Sequence, residues 1–143
     1  MKGIIKFLCL TVVIAVAVQF LSCSGNDSPI GKYVELVNKV TDEVTSINSL
    51  EELRDIDQAD YAAQLSEIMQ TSGNYELTDS DKEKLKKAYD RFLNEFFKKT
   101  LDLSNLPDEI KETMSSQKEL AIERVNTSIE NSKTLSEIQS IIP

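Results

Sequence analysis

From Ile30 to Ile141 apolar residues return at three- and four-residue steps, and this spacing constrains the fold more than any other feature of the chain. Steps of three and four keep side chains on one face of a helix, whereas a half-buried strand would alternate every two residues. Ile30, Tyr33, Val34, Val37, Val40, Val44 and Ile47 form the first stripe, with Ser28 placed to cap it and Pro29 suited to the first helical position. Val is a modest helix former, so this helix is expected to depend on packing. Ser46, Asn48 and Ser49 break the pattern. Leu50, Leu53 and Ile56 then start a second stripe, with Ser49 and Glu52 at capping-box spacing, and Tyr61, Leu65, Ile68 and Met69 resume it as one bent helix or two short ones. Thr71-Ser72-Gly73-Asn74 ends the segment, where Gly and Asn tolerate a left-handed backbone.

The third helix is the clearest. Thr78 and Asp81 are spaced as cap and acceptor, and Leu85, Ala88, Tyr89, Phe92, Leu93, Phe96 and Phe97 make a broad apolar face. Lys98 and Lys99 lie near its expected negative end, and Leu101 to Pro107 reads as the break. Ile110, Met114, Ala121, Val125 and Ile129 keep one face of the next helix, with Leu120 and Ile122 widening it. Thr134 and Glu137 repeat the capping-box spacing, and Leu135, Ile138 and Ile141 repeat the interval of Leu50, Leu53 and Ile56. That echo fits either a duplicated unit or the ordinary composition of capped helices. Such stripes cannot be buried singly, and short connections make antiparallel neighbours. The expected fold is all-α: a small antiparallel bundle of about four to five helices.

Ahead of the stripes lies a different kind of segment. Lys2 and Lys6 give a positive start, Phe7 to Val18 is apolar apart from Thr11, and Phe20-Leu21-Ser22-Cys23 places a small residue before a cysteine. A basic head, an apolar run and a small-residue cleavage point make a secretory signal. Ile4 to Leu21 is shorter than the roughly 20 apolar residues of a spanning helix and contains Lys6 and Gln19. The order of charge, apolar run and cysteine resembles a bacterial lipoprotein signal with a signal-peptidase-II lipobox. Phe at the first of the four positions, with Ser on both sides of the cysteine, is similar to lipoproteins of the Bacteroidota. The resemblance implies that residues 1–22 are removed and that Cys23 is lipidated as the first mature residue. Residues 23–29 would then be a short tether and 30–143 a single helical domain. It also implies two or three acyl chains, and since one chain alone binds a membrane only marginally, several make attachment durable.

Composition narrows the chemistry. The chain carries −8, and loss of Lys2 and Lys6 with the signal leaves −10 on the mature part. Nucleic-acid binding rests on Lys and Arg neutralising phosphates, so it is not expected. There is no His, the commonest general acid–base and metal ligand, and both cysteines are accounted for by the signal and the lipid. Four glycines form no phosphate loop. Asp55-Ile56-Asp57-Gln58-Ala59-Asp60 superficially suggests a calcium loop, but an EF-hand needs Gly sixth and Glu twelfth, where Asp60 and Ser66 stand. Glu51/Glu52 and Asp108/Glu109 fit the first turns of helices, whose dipole favours acids. Lys82, Lys84, Lys86 and Lys87, interleaved with acids, read as a solvated face.

No enzyme activity, cofactor or metal is therefore expected, and Cys23 is the one residue with an assignable chemistry. The expected role is non-enzymatic binding or scaffolding in the cell envelope, at the periplasmic face of the outer membrane or the cell surface. Two sharper alternatives are inhibition of, or immunity to, a cationic envelope-attacking enzyme, suggested by the acidity, and an apolar ligand held between helices, suggested by the Phe-rich third helix. The expected partners are the membrane, through lipid on Cys23, and a basic envelope protein.

Overall fold

Ser28 Oγ accepts the Gly31 N–H at 3.0 Å, and Pro29 follows as the first helical residue, so the chain enters α1 (Pro29–Ser46) with its first orphan donors answered. The computed structural model describes residues 28–56 and 58–139. The signal segment, Cys23, Asp57 and Ile141 lie outside the described residues. Within them are six helices: α1, α2 (Leu50–Arg54), α3 (Gln58–Ser72), α4 (Asp79–Leu103), α5 (Asp108–Asn131) and α6 (Leu135–Gln139). The fold is a small all-α bundle. The second stripe resolves into two helices, because Asp55 ends α2 with its N–H on Glu51 and Glu52 carbonyls.

The two joints share one bond, from the acid of the short helix back to an amide ahead of it. Ser49 Oγ accepts the Glu52 N–H at 3.1 Å, while the Glu52 carboxylate reaches back to the Asn48 N–H at 2.8 Å. At the second joint the Glu137 carboxylate takes the Lys133 N–H at 2.7 Å. In each case the acid answers the amide one residue before the capping position, not that of the cap itself. At α4 the box is complete: Thr78 and Asp81 exchange side-chain and backbone bonds in both directions.

Four expectations are corrected. α4 runs through Leu103, so only 104–107 break it, and neither Lys98 nor Lys99 falls in its last turn. Lys99 instead donates to the Ile47 carbonyl at 2.7 Å, closing the end of α1. Gly73 is not left-handed, since no residue with positive φ occurs among those described. Glycine is needed there because an added Cβ would sit 2.6 Å from the Met69 carbonyl oxygen. Leu50 and Leu120, expected on buried stripes, are 41% and 45% exposed.

The most extensive interface joins α1 and α4, followed by α4 with α5. Tyr33 meets Tyr89, Asp42 meets Arg91 and Ile47 meets Lys99, so residue numbers rise together and α1 and α4 run parallel. Antiparallel packing holds for α4 and α5, where Lys86 meets Glu130 and Asp90 meets Asn126. It also holds for α1 and α3: Glu43 bonds Tyr61 near the start of α3, and Pro29 lies beside Gly73 just beyond its end. Leu36, outside the expected stripe, is buried along with Tyr33, Phe92, Phe96, Leu65 and Leu53. The Phe92–Phe96 and Phe96–Phe97 rings stand 6.0 Å apart, the second pair edge to face.

Candidate functional site

The topology gives the bundle two distinct ends. One holds the start of α1, the end of α3, the start of α4 and the end of α5, with residues 73–77 lying across it. There Leu77 N–H donates to Lys133 O at 2.8 Å, Leu135 N–H to Tyr75 O at 3.1 Å and Ser136 N–H to Gly73 O at 2.9 Å, around an isolated antiparallel bridge between Glu76 and Thr134. A shallow recess of about 350 Å³ opens beside these bonds, lined in part by Pro29, Met69, Gly73, Tyr75 and Ser136. Five residue steps separate Cys23 from Ser28, a reach of at most about 18 Å. Cys23 itself is outside the described residues, but α1 begins at this end and ties it to any lipid on that cysteine.

Two buried polar arrangements were candidates for chemistry. The Tyr33 and Tyr89 hydroxyls hydrogen-bond each other inside the α1–α4 interface, with ring centroids 6.3 Å apart. Burial pushes Tyr33 up to about 12, against a smaller lowering by the bond to Tyr89. Tyr89 is raised well above its usual value, by burial first and then by Tyr33. Such phenols stay protonated and give no nucleophile near neutrality. The second arrangement is Asp81, 7% exposed, whose Oδ2 accepts from Thr78 N at 3.0 Å, Thr78 Oγ1 at 2.7 Å and Tyr75 Oη at 3.2 Å. Burial alone would raise this carboxyl; the bonds from Thr78 and Tyr75, with Lys84 nearby, outweigh it and hold the carboxyl below its usual range. A lowered carboxyl that accepts the Thr78 N–H while Thr78 Oγ1 accepts the Asp81 N–H is a cap. The sequence spacing of Thr78 and Asp81 made it legible; the Tyr75 bond was not.

The lysines of α4 are more than a solvated face. Lys82 Nζ donates to the Glu130 carbonyl at 2.7 Å, and Lys86 Nζ pairs with the Glu130 carboxylate at 2.5 Å and with Glu83 at 3.3 Å. Two cations thus meet the last turn of α5, where unpaired carbonyls concentrate negative potential. The Glu130 bond leads in raising Lys86, and the Lys86 bond leads in lowering Glu130.

No group of three or more His, Cys, Asp or Glu suited to a metal occurs among the described residues. Asp60 of the calcium-like stretch accepts from Gln64 Nε2 at 2.8 Å. The aromatic rings that suggested an apolar ligand, Phe92, Phe96 and Phe97, are no more than 2% exposed within the protein's own core. Among the described residues no helix is long and apolar enough to cross a membrane. No protein-family model matches the chain, and neither a curated protein nor a solved structure matches it.

Proposed function

We propose that the protein is a lipid-anchored lipoprotein of a bacterial cell envelope whose helical domain is a non-enzymatic binding or scaffolding module. The observation that carries this reading is the order of basic head, apolar run and Phe20-Leu21-Ser22-Cys23 directly ahead of α1. Lipid on Cys23 holds the mature chain at the membrane, and the short tether keeps the Ser28 end of the bundle close to it. Two of the domain's buried polar arrangements support a binding role over catalysis, because their groups are committed to holding the helices in place. Thr78 and Asp81 cap α4, and Tyr33 and Tyr89 join α1 to α4.

Metabolic labelling with an alkyne fatty acid tests the anchor. The wild-type protein takes up label and Cys23→Ala does not; equal labelling of the two would refute the reading.

A further inference from the structure

We propose that the first half of α5, residues 108–120, is a releasable arm. It leaves α4 and melts while the second half of α5 and the rest of the bundle stay folded, and this exposes Met114 and the neighbouring end of α4.

The two halves of α5 are covered very differently. From 108 to 120 only Ile110, Met114 and Lys118 are not exposed, and of these Met114 alone is buried. From 121 to 131 Ala121, Ile122, Val125, Asn126, Ser128 and Ile129 are covered wholly or in part. α4, of similar length, buries nine residues against the two of α5. A segment with few buried contacts opens at lower cost than the core around it.

Polar ties follow the same division. Every side-chain bond from 108 to 120 stays inside α5: Lys111 pairs with Asp108 at 3.3 Å, Lys118 with Glu119 at 3.4 Å, and the Thr113, Ser115 and Ser116 hydroxyls donate to carbonyls four residues back. These bonds hold nothing to α4, and hydroxyls turned back on the ladder favour a helix little. The second half is tied to its neighbours. Asn126 Nδ2 donates to Asp90 at 3.2 Å, Glu130 takes Lys86 on its carboxylate and Lys82 on its carbonyl, and just beyond it the Lys133 carbonyl accepts from Leu77.

The start of α5 is also the weakest of the long capped ends. Ser28 and Thr78 cap α1 and α4 through their side chains, whereas α5 begins at Pro107 with no side-chain cap bond. Isolated helices shorter than about 12–15 residues are marginal in water, so the arm loses its helix once it leaves α4. The antiparallel register of Lys86 on Glu130 and Asp90 on Asn126 sets Met114 level with Asp102, between the half-buried Leu101 and Leu103. Opening therefore bares apolar side chains, at the end of the bundle opposite Ser28, that the closed fold covers.

Hydrogen exchange read by mass spectrometry on the full chain in uncharged detergent micelles tests the arm. Corrected for intrinsic rates, amides of 108–120 should exchange about a hundredfold or more faster than those of 85–97 in α4, and about tenfold or more faster than those of 122–131. Rates in the two halves of α5 within about threefold of each other would overturn the arm. Pro107→Ser supplies the missing cap and should slow the arm about fivefold while leaving 122–131 unchanged. Ser115→Ala with Ser116→Ala, at exposed positions, should act in the same direction if the Pro107 variant disturbs the loop. Glu130→Gln should speed 122–131 and leave the arm within about twofold; equal acceleration of both halves would mean that α5 moves as one piece, against the proposal. Oxidation of Met114 by dilute hydrogen peroxide gives an independent reading. It should slow in each capped or Ala variant by the same factor as arm exchange, and a rate indifferent to them would show Met114 reached without opening and sink the arm.

Discussion

At the scale of single residues, stability rests on a few polar groups held where water is excluded. Two hydroxyls share one bond at Tyr33 and Tyr89, so removing either leaves the other buried and alone. Tyr33→Phe or Tyr89→Phe should each cost about 1–3 kcal/mol in urea unfolding, and the double variant less than their sum. Tyr33 is raised from 10.0 to about 12 in the folded protein, which therefore holds its proton more tightly than the unfolded chain does. That contribution is fully present below pH 10 and is lost as pH rises through about 12, so the double Phe variant should flatten the alkaline limb of the stability curve. Asp81 acts with the opposite sign. Its lowered carboxyl stabilises the fold above the ordinary carboxylate range, and this is lost as pH falls through the folded value. Asp81→Asn should cost about 1 kcal/mol at neutral pH and soften acid unfolding. Thr78 and Asp81 were legible because a capping box is a local pattern. Tyr33 was legible only as an apolar position, because its partner lies 56 residues away.

At the scale of elements, periodicity and caps located the helical segments but left α2 and α3 open between one bent helix and two, and the misses have physical causes. Leu50 and Leu120 sit at stripe spacing, yet a stripe shows which face turns inward and not whether a neighbour covers all of it. α5 illustrates the point: of its residues only Met114 and Ile129 are buried, since it leans on α4 alone as an extensive partner. Lys82 and Lys86 read as solvent-facing because their target, the end of α5, is more than forty residues distant. Gly73 invited a left-handed reading because that is the common use of Gly after a helix; here close approach to Met69 is the constraint. Gly73→Ala should therefore destabilise, by about 1–3 kcal/mol in thermal unfolding, since the atom it meets is backbone and cannot rotate away. The two joints should respond alike: Glu52→Gln and Glu137→Gln each weaken a charge-assisted bond to a backbone N–H, at about 0.5–1.5 kcal/mol apiece.

At the scale of the whole molecule, the parallel pair α1 and α4 is the core on which the other helices rest. Phe92, 1% exposed in the core, should cost about 3–5 kcal/mol when cut to Ala, enough to unfold a marginal domain of this size. The helix class was legible in the apolar spacing. The parallel α1–α4 pairing was not, because short connections specify only how chain neighbours pack, and α2 and α3 intervene between these two. The two ends of the bundle differ in what they carry: the start of α1 lies at one and the exposed Leu50 at the other. That arrangement gives the anchor its significance, since lipid on Cys23 would set which end meets the membrane and which meets a partner. Intact-mass measurement of the protein extracted from its native membrane tests this most directly. The account predicts a chain that starts at Cys23 and carries glycerol with two or three acyl chains; a membrane-bound species that retains residues 1–22 with an unmodified Cys23 would contradict it.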